Sequence, residues 1–143
     1  MNLQSAQDTI ALGEKFGALL SPGSILALNG DLGAGKTTFV QGIARGLQIH
    51  DPIQSPTFTF LNSYEGILPL FHFDLYRLSK PADFHALGFD EYFYKGGLCV
   101  VEWAKRIHSL LPTHTLFCSF AYHAQGRHVT LHGSFPQELI ASL

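Results

Sequence analysis

The run Gly30-Asp31-Leu32-Gly33-Ala34-Gly35-Lys36-Thr37 decides the reading of this chain. It fills every fixed position of G-x-x-x-x-G-K-[ST], and its flanks fit as well as its residues do. The apolar run at 25–28 before it reads as a short buried strand. After it, Phe39, Val40, Ile43, Ala44 and Leu47 recur at helical spacing and describe a buried stripe. A strand, a glycine-rich turn and a helix start form an anion cradle. Glycines let the backbone amides point inward, where side chains would obstruct them. The positive end of the helix adds roughly 0.3–2 kcal/mol for an anion placed there. In such a loop Lys36 reaches the β- and γ-phosphates of a nucleotide, and the Thr37 hydroxyl ligates magnesium. A turn that merely joins strand to helix is the plain alternative, and the intact motif with both flanks argues against it.

Working outward, Ser5-Ala6-Gln7-Asp8 looks like a capping box, and Ala6, Ile10, Gly13, Phe16 and Leu20 follow at helical spacing. That helix stops near Ser21-Pro22-Gly23. Segments 58–64 and 68–74 flank Glu65-Gly66-Ile67 and predict a hairpin. Pro81 suits the first turn of a helix over 81–87. A buried strand is expected at 98–101, and a second hairpin joins 115–122 to 128–131 around Gln125-Gly126. The expected fold is α/β: a P-loop NTPase-like mixed sheet with a parallel core, antiparallel hairpins and flanking helices. A single domain over 1–135 with a short tail over 136–143 accounts for the length.

Magnesium takes oxygen ligands, so one or two acids belong near Thr37. Glu102 follows the apolar run 98–101, where a strand's carboxyl edge places a Walker-B-like acid. It is the first choice as metal ligand. Strand alternation puts His72 and Asp74 on one face, so Asp74 either binds a metal-bound water or orients the attacking one. Each acid has an ordinary reading as well, marking where a buried strand meets water. In Ser55-Pro56-Thr57-Phe58-Thr59-Phe60, an extended backbone puts Thr57 and Thr59 on one face and both phenylalanines on the other. The pattern resembles a switch segment sensing a γ-phosphate. A half-buried edge strand gives the same pattern, and taken alone that reading is favoured.

The 143 residues are 46% hydrophobic and 14% charged, a globular profile without a disordered tract. No apolar run approaches the ~18 residues of a membrane span. The start of the chain has no basic leader, so a cytoplasmic protein without membrane contact is expected. Cys99 and Cys118 lie apart in apolar runs and read as reduced core residues. A formal net charge of −2 excludes a general electrostatic pull on nucleic acid. His123, His128 and His132 span a hairpin without matched cysteines or acids, which does not support zinc. Trp103 reads as packing beside Glu102 in preference to a base-stacking platform.

Taken together, Gly30 to Thr38, Ser55-Pro56-Thr57-Phe58-Thr59, His72-Phe73-Asp74-Leu75-Tyr76-Arg77 and Val101-Glu102-Trp103 resemble the TsaE family over about residues 5–131. The resemblance implies a magnesium-dependent ATPase needed for threonylcarbamoyl-adenosine formation in tRNA. It implies that the protein binds a TsaD–TsaB heterodimer, meets tRNA only through that complex, and supports repeated turnover by hydrolysing ATP. Carried onto this chain, Leu32, Gly33, Ala34, Gly35, Lys36, Thr37 and Thr38 hold phosphate. Thr37 and Glu102 ligate magnesium, with Asp74 assisting hydrolysis beside Lys36. The N-terminal helix brings Ala6 and Thr9 toward the nucleotide, Arg127 touches it from the C-terminal hairpin, and Ser55 and Thr57 form the switch segment.

Rivals remain on the residues alone. The guanine-reading N-K-x-D and the L-S-G-G-Q signature are both missing from the sequence. A small-molecule kinase could use Asp74 to Arg77 as base and clamp. A nucleotide-gated binding module, with hydrolysis incidental, is the third class. Of the four arginines, Arg77 and Arg127 are the finger candidates, Arg45 lies on the helix after the loop, and Arg106 reads as surface charge. Slow hydrolysis alone and faster hydrolysis with partner bound is the corresponding expectation.

Overall fold

The computed structural model of the chain describes residues 1–30, 35–123 and 126–143. In chain order it contains β1 (Asn2–Leu3), α1 (Ala6–Leu19), β2 (Ile25–Gly30), α2 (Lys36–Gly46), β3 (Leu61–Tyr64), β4 (Leu70–Asp74), α3 (Pro81–Ala86), β5 (Leu98–Glu102), β6 (Leu116–His123), β7 (Gly126–His132) and α4 (Gln137–Ala141). Two 3₁₀ helices, Phe89–Tyr94 and Ala104–Leu110, flank β5.

Among the described residues seven strands form one sheet in the order β1-β7-β6-β2-β5-β4-β3. The four inner strands β6, β2, β5 and β4 run parallel, and β3, β7 and β1 add antiparallel pairings at the two edges. This is the expected mixed sheet with a parallel core. Both predicted hairpins form; the turn residue Gln125 of the second lies outside the described residues. β1 was not foreseen, and two residues against β7 are too short to show periodicity.

Strand alternation divides the interior into two cores. Leu26 and Leu28 of β2, Leu70 of β4, and Leu98 and Val100 of β5 face α1 and α2, where Phe16, Phe39 and Ile43 are fully buried. Ile25, Ala27, Phe71, Phe73, Cys99 and Val101 face the opposite side, with Phe84 and Phe93 from α3 and the first 3₁₀ helix. The same parity carries Asp74 and Glu102 to the α2 side of the sheet. Both acids stand at the carboxyl ends of their strands, and β2, which neighbours β5 on one side and β6 on the other, marks the switch point of the parallel core.

α1 starts as predicted, with Ser5 Oγ accepting the Asp8 amide at 3.1 Å. Asp8 Oδ2 accepts the Gln4 amide in return at 3.0 Å. α1 and α2 then meet through glycines. A Cβ on Gly13 would lie 2.4 Å from Phe39 O, and one on Gly42 would lie 2.3 Å from Ile10 O. Gly17 and Gly46, one turn on, meet Ile43 O and Glu14 O at 2.2 and 2.3 Å in the same sense. Only glycine permits this backbone approach. Beyond residue 135, α4 packs back on the domain through Leu139, which is fully buried in the α1 core.

One expectation fails. The strand predicted from residue 58 begins only at Leu61. Residues 57–60 make a turn, closed by the Phe60 amide to Pro56 O at 2.8 Å, with Phe60 at φ +66°. β3 is an edge strand whose one partner, β4, ends at Asp74; the Asp74 amide still donates to Phe60 O at 2.9 Å, but residues before Phe60 have no strand opposite them, and a local turn satisfies the backbone instead.

Candidate functional site

The apolar strand β2 ends at Gly30, and α2 opens at Lys36 behind Gly35, whose φ of +101° is a left-handed conformation suited to glycine. Leu32, Gly33 and Ala34, named as phosphate contacts, lie outside the described residues. Lys36 is buried at the start of α2, with its Nζ donating to Gly30 O at 3.0 Å and lying 5.5 Å from the centroid of the Trp103 ring. Its ammonium is therefore held over the strand–helix junction by one carbonyl and one aromatic face.

The register of the parallel core sets the acids side by side. Glu102 pairs with Leu28 on one flank and with Asp74 on the other. Each carboxylate has its own holder. Asp74 Oδ2 accepts from Ser55 Oγ at 3.1 Å, and Asp74 Oδ1 accepts from the Tyr76 amide at 3.1 Å. Glu102 Oε2 lies 2.6 Å from His72 Nε2. Thr57 Oγ1 is 3.1 Å from Ser55 Oγ, which ties the threonine segment to Asp74.

These groups share one cavity of about 620 Å³, walled by Gly35 before α2, Lys36, Thr37 and Thr38 of α2, Ser55 and Thr57, Asp74 and Glu102, and the rings of Tyr76 and Trp103. The sequence-predicted residues Lys36, Thr37, Asp74 and Glu102 thus come together. Thr37 with the two carboxylates offers an all-oxygen donor set, which suits a hard divalent cation sharing its shell with phosphate and water. Both cysteines are buried in the core. Among the described residues no group of three or more His, Cys, Asp or Glu side chains gathers as a metal site.

A second cavity of about 240 Å³ contains Ala6, Thr9 and Arg127 together with Gly35 and Thr38. Pairing of β1 with β7, Leu3 opposite Arg127, brings the start of α1 to the hairpin. The approach is tight: a Cβ on Gly126 would lie 2.1 Å from Leu3 O. Gly35 and Thr38 border both cavities, so the α2 start stands between them. The Arg127 guanidinium lies 4.4 Å from the Tyr122 ring centroid.

The threonine segment differs from its expected geometry. Thr57 borders the main cavity, whereas Thr59 Oγ1 turns to Leu61 O at 3.4 Å. Phe58 is 80% exposed beneath the Arg77 guanidinium, while Phe60 is half-buried against Phe89. Neither pair shares a face, because the turn replaces strand alternation. Arg77 borders a different hollow, with Phe60 and Leu78, and is not among the residues walling the main cavity. Arg106 lies 5.9 Å from the Trp103 ring.

Two walls were not foreseen. Tyr76 lies past the end of β4, in a turn closed by the Leu78 amide to Leu75 O at 3.0 Å, so strand alternation carried no signal for it. Trp103 adopts φ +58°, an uncommon left-handed position costing on the order of 1–2 kcal/mol for such a side chain. That twist directly after Glu102 sets its ring against Tyr76, centroids 4.9 Å apart, at the cavity wall. It packs against the second core, and it also lines the cavity together with Glu102.

The architecture and cavity define a mixed α/β protein with a site at the carboxyl ends of its parallel strands, facing the N-terminus of the helix after β2. The family model "Threonylcarbamoyl adenosine biosynthesis protein TsaE" matches residues 3–129. The chain belongs to the TsaE family. It is 47% identical over 129 residues to the tRNA threonylcarbamoyladenosine biosynthesis protein TsaE of Treponema pallidum, covering 90% of this chain and 96% of that protein. The Bacillus subtilis protein of the same name is 47% identical over 111 residues, 77% of this chain and 69% of its own length. The crystal structure of Bacillus subtilis YdiB superposes with a TM-score of 0.81 at 35% identity, covering 99% of this chain and 88% of that one. Among the described residues no helix is long and apolar enough to cross a membrane.

Proposed function

We propose that this protein is a magnesium-dependent ATPase of tRNA threonylcarbamoyladenosine formation, which binds a cytoplasmic TsaD–TsaB heterodimer and resets it by hydrolysis. The observation that carries the proposal is the shared cavity: Lys36 and Thr37 at a helix start face Asp74 and Glu102 on adjacent parallel strands. Family membership supplies the tRNA pathway, since relatives of this length carry that role in their names.

The roles follow from what each group can do. Lys36 brings a buried positive charge to the phosphates, and the amides opening α2 add the helix's positive end. Thr37, Glu102 and Asp74 would hold magnesium, which when bound offsets phosphate charge and organises its oxygens. Asp74, clamped through both oxygens, is set to orient the attacking water and accept its proton at a carboxylate oxygen. Ser55 and Thr57 link that carboxylate to the 55–60 segment, so the segment can report what occupies the cavity. The nucleoside end is assigned to the second cavity, beside Ala6, Thr9 and Arg127.

Nucleotide binding measured with and without purified TsaD–TsaB tests the reading, with wild type beside Lys36→Ala. Wild type is expected to bind ATP with magnesium and to release inorganic phosphate faster with the heterodimer present. Lys36→Ala is expected to lose both. Transfer of phosphate to a small acceptor, or equal turnover with and without the heterodimer, would reject the corresponding part.

A further inference from the structure

The strand β4 reads Leu70-Phe71-His72-Phe73-Asp74, and one polar ring stands in it where its neighbours are apolar. His72 is 0% exposed. Its register partner on β5 is Val100, and its ring crosses diagonally to the next same-face residue, Glu102. The separation of 2.6 Å between His72 Nε2 and Glu102 Oε2 is that of a strong, charge-assisted hydrogen bond. The second nitrogen, Nδ1, is buried without a hydrogen-bond partner among the described residues.

That pairing is poor value for folding alone. A buried polar group without a partner carries an uncompensated desolvation cost, which an aliphatic side chain at this position would avoid. A carboxylate only accepts, so the hydrogen of the pair sits on Nε2. What the histidine does achieve is directional. It commits Oε2 of Glu102, while Oε1 makes no hydrogen bond with the described residues. A free glutamate side chain loses rotamer entropy when fixed, and here that loss is taken before any ligand arrives.

We infer that His72 is a positioning residue: its Nε2–H holds the Glu102 carboxylate with Oε1 presented to the cation that accompanies the nucleotide. The inference rests on the reading of Glu102 as magnesium ligand. It separates the two acids by their supports, Asp74 by Ser55 and a backbone amide, Glu102 by an imidazole rooted in the core. Partners that orient a metal ligand typically matter 10–100-fold in metal affinity or activity.

The test uses Mn²⁺ as a spectroscopic stand-in for magnesium, titrated by electron paramagnetic resonance into the full chain with a non-hydrolysable ATP analogue. His72→Leu is expected to weaken Mn²⁺ by about 10–100-fold. His72→Gln, which returns an N–H donor near the Nε2 position, is expected to recover most of it. Analogue binding in the presence of a chelator stays unchanged in both. A lowered melting temperature with wild-type Mn²⁺ affinity in His72→Leu overturns the inference and leaves Glu102 as ligand. Equal Mn²⁺ affinity in wild type and Glu102→Ala removes the ligand reading itself, and this inference with it. Should His72→Leu not fold, long-range ¹H–¹⁵N spectra of the metal-free wild type decide: hydrogen on Nε2 is expected, and an Nε2 without hydrogen overturns the assignment.

Discussion

Replacing Gly42 with alanine probes the contact that joins the two halves of the proposed nucleotide site. The new Cβ would lie 2.3 Å from Ile10 O, 2.9 Å from Ile10 Cα and 3.0 Å from Gly13 Cα. Comfortable contacts between carbon atoms are roughly 3.5–4.0 Å, and none of these three atoms belongs to a side chain that can rotate away. The helices must therefore part, by about 1 Å. Overpacking costs about 1–3 kcal/mol, and against backbone atoms that cannot rotate away the upper part of that range, about 2–3 kcal/mol, applies; alanine returns about 1 kcal/mol through its helix preference. A net loss of about 1–2 kcal/mol lowers the melting temperature of a domain this size by roughly 4–8 °C.

The assay is a thermal melt of Gly42→Ala and Gly13→Ala, with Ala11→Gly on the exposed face of α1 measuring the propensity increment alone. The double variant should lose less than the sum, because one separation relieves both clashes. Function should follow geometry. α1 carries Ala6 and Thr9 and α2 begins at Lys36, so parting the helices loosens the second cavity and weakens nucleotide binding even where the protein is folded. A Gly42→Ala protein that melts at or above wild type would refute the backbone contact and the coupling built on it.

Other outcomes follow from single contacts. Ser55→Ala removes the bond to Asp74 Oδ2 and leaves the Tyr76 amide on Oδ1, so kcat should fall while nucleotide affinity holds in a steady-state and binding comparison. Leu139→Ala empties a fully buried position under α1 and should cost about 2–3 kcal/mol in a denaturant titration, although it lies beyond the family match. Burial pushes the Cys99 thiol from its ordinary 9.0 up to about 12, and burial raises Cys118 as well. Below 9.0 both folded and unfolded thiols are protonated, so they add no pH dependence; above it the unfolded chain ionises first. Stability should therefore decline as pH rises from 9.0 toward about 12, with a shallower decline in Cys99→Ala.

The fold was legible where periodicity and punctuation agreed. The β2–α2 unit, both hairpins and the Ser5 cap each carried a local signal that survives in the structure. The glycines at 13, 17, 42 and 46 carried a signal as well, two four-residue spacings on consecutive helices. Gly13 read as one more member of an apolar stripe, and its partner could not be named, because a backbone contact between helices leaves no complementary side-chain pattern. β1 is decided by its partner β7, over a hundred residues away, and two residues cannot announce that pairing.

The site divides along the same physical line. Lys36, Thr37, Asp74 and Glu102 each stand at the end of a regular element, where the element's geometry dictates direction, and they meet in one cavity. Residues 56–60 belong to no element. Alternation predicts their faces only if a neighbouring strand holds them extended, and β3 at the sheet edge begins after them. Trp103 likewise leaves the strand at a left-handed residue, so its parity with Val101 has no bearing on where its ring goes. Both departures fall against the main cavity, with Thr57 and Trp103 among its walls. Parity arguments therefore end where the sheet does. The residues that line the proposed nucleotide site from outside both strands and helices, Thr57 and Trp103 among them, are the ones whose directions depend on local turns.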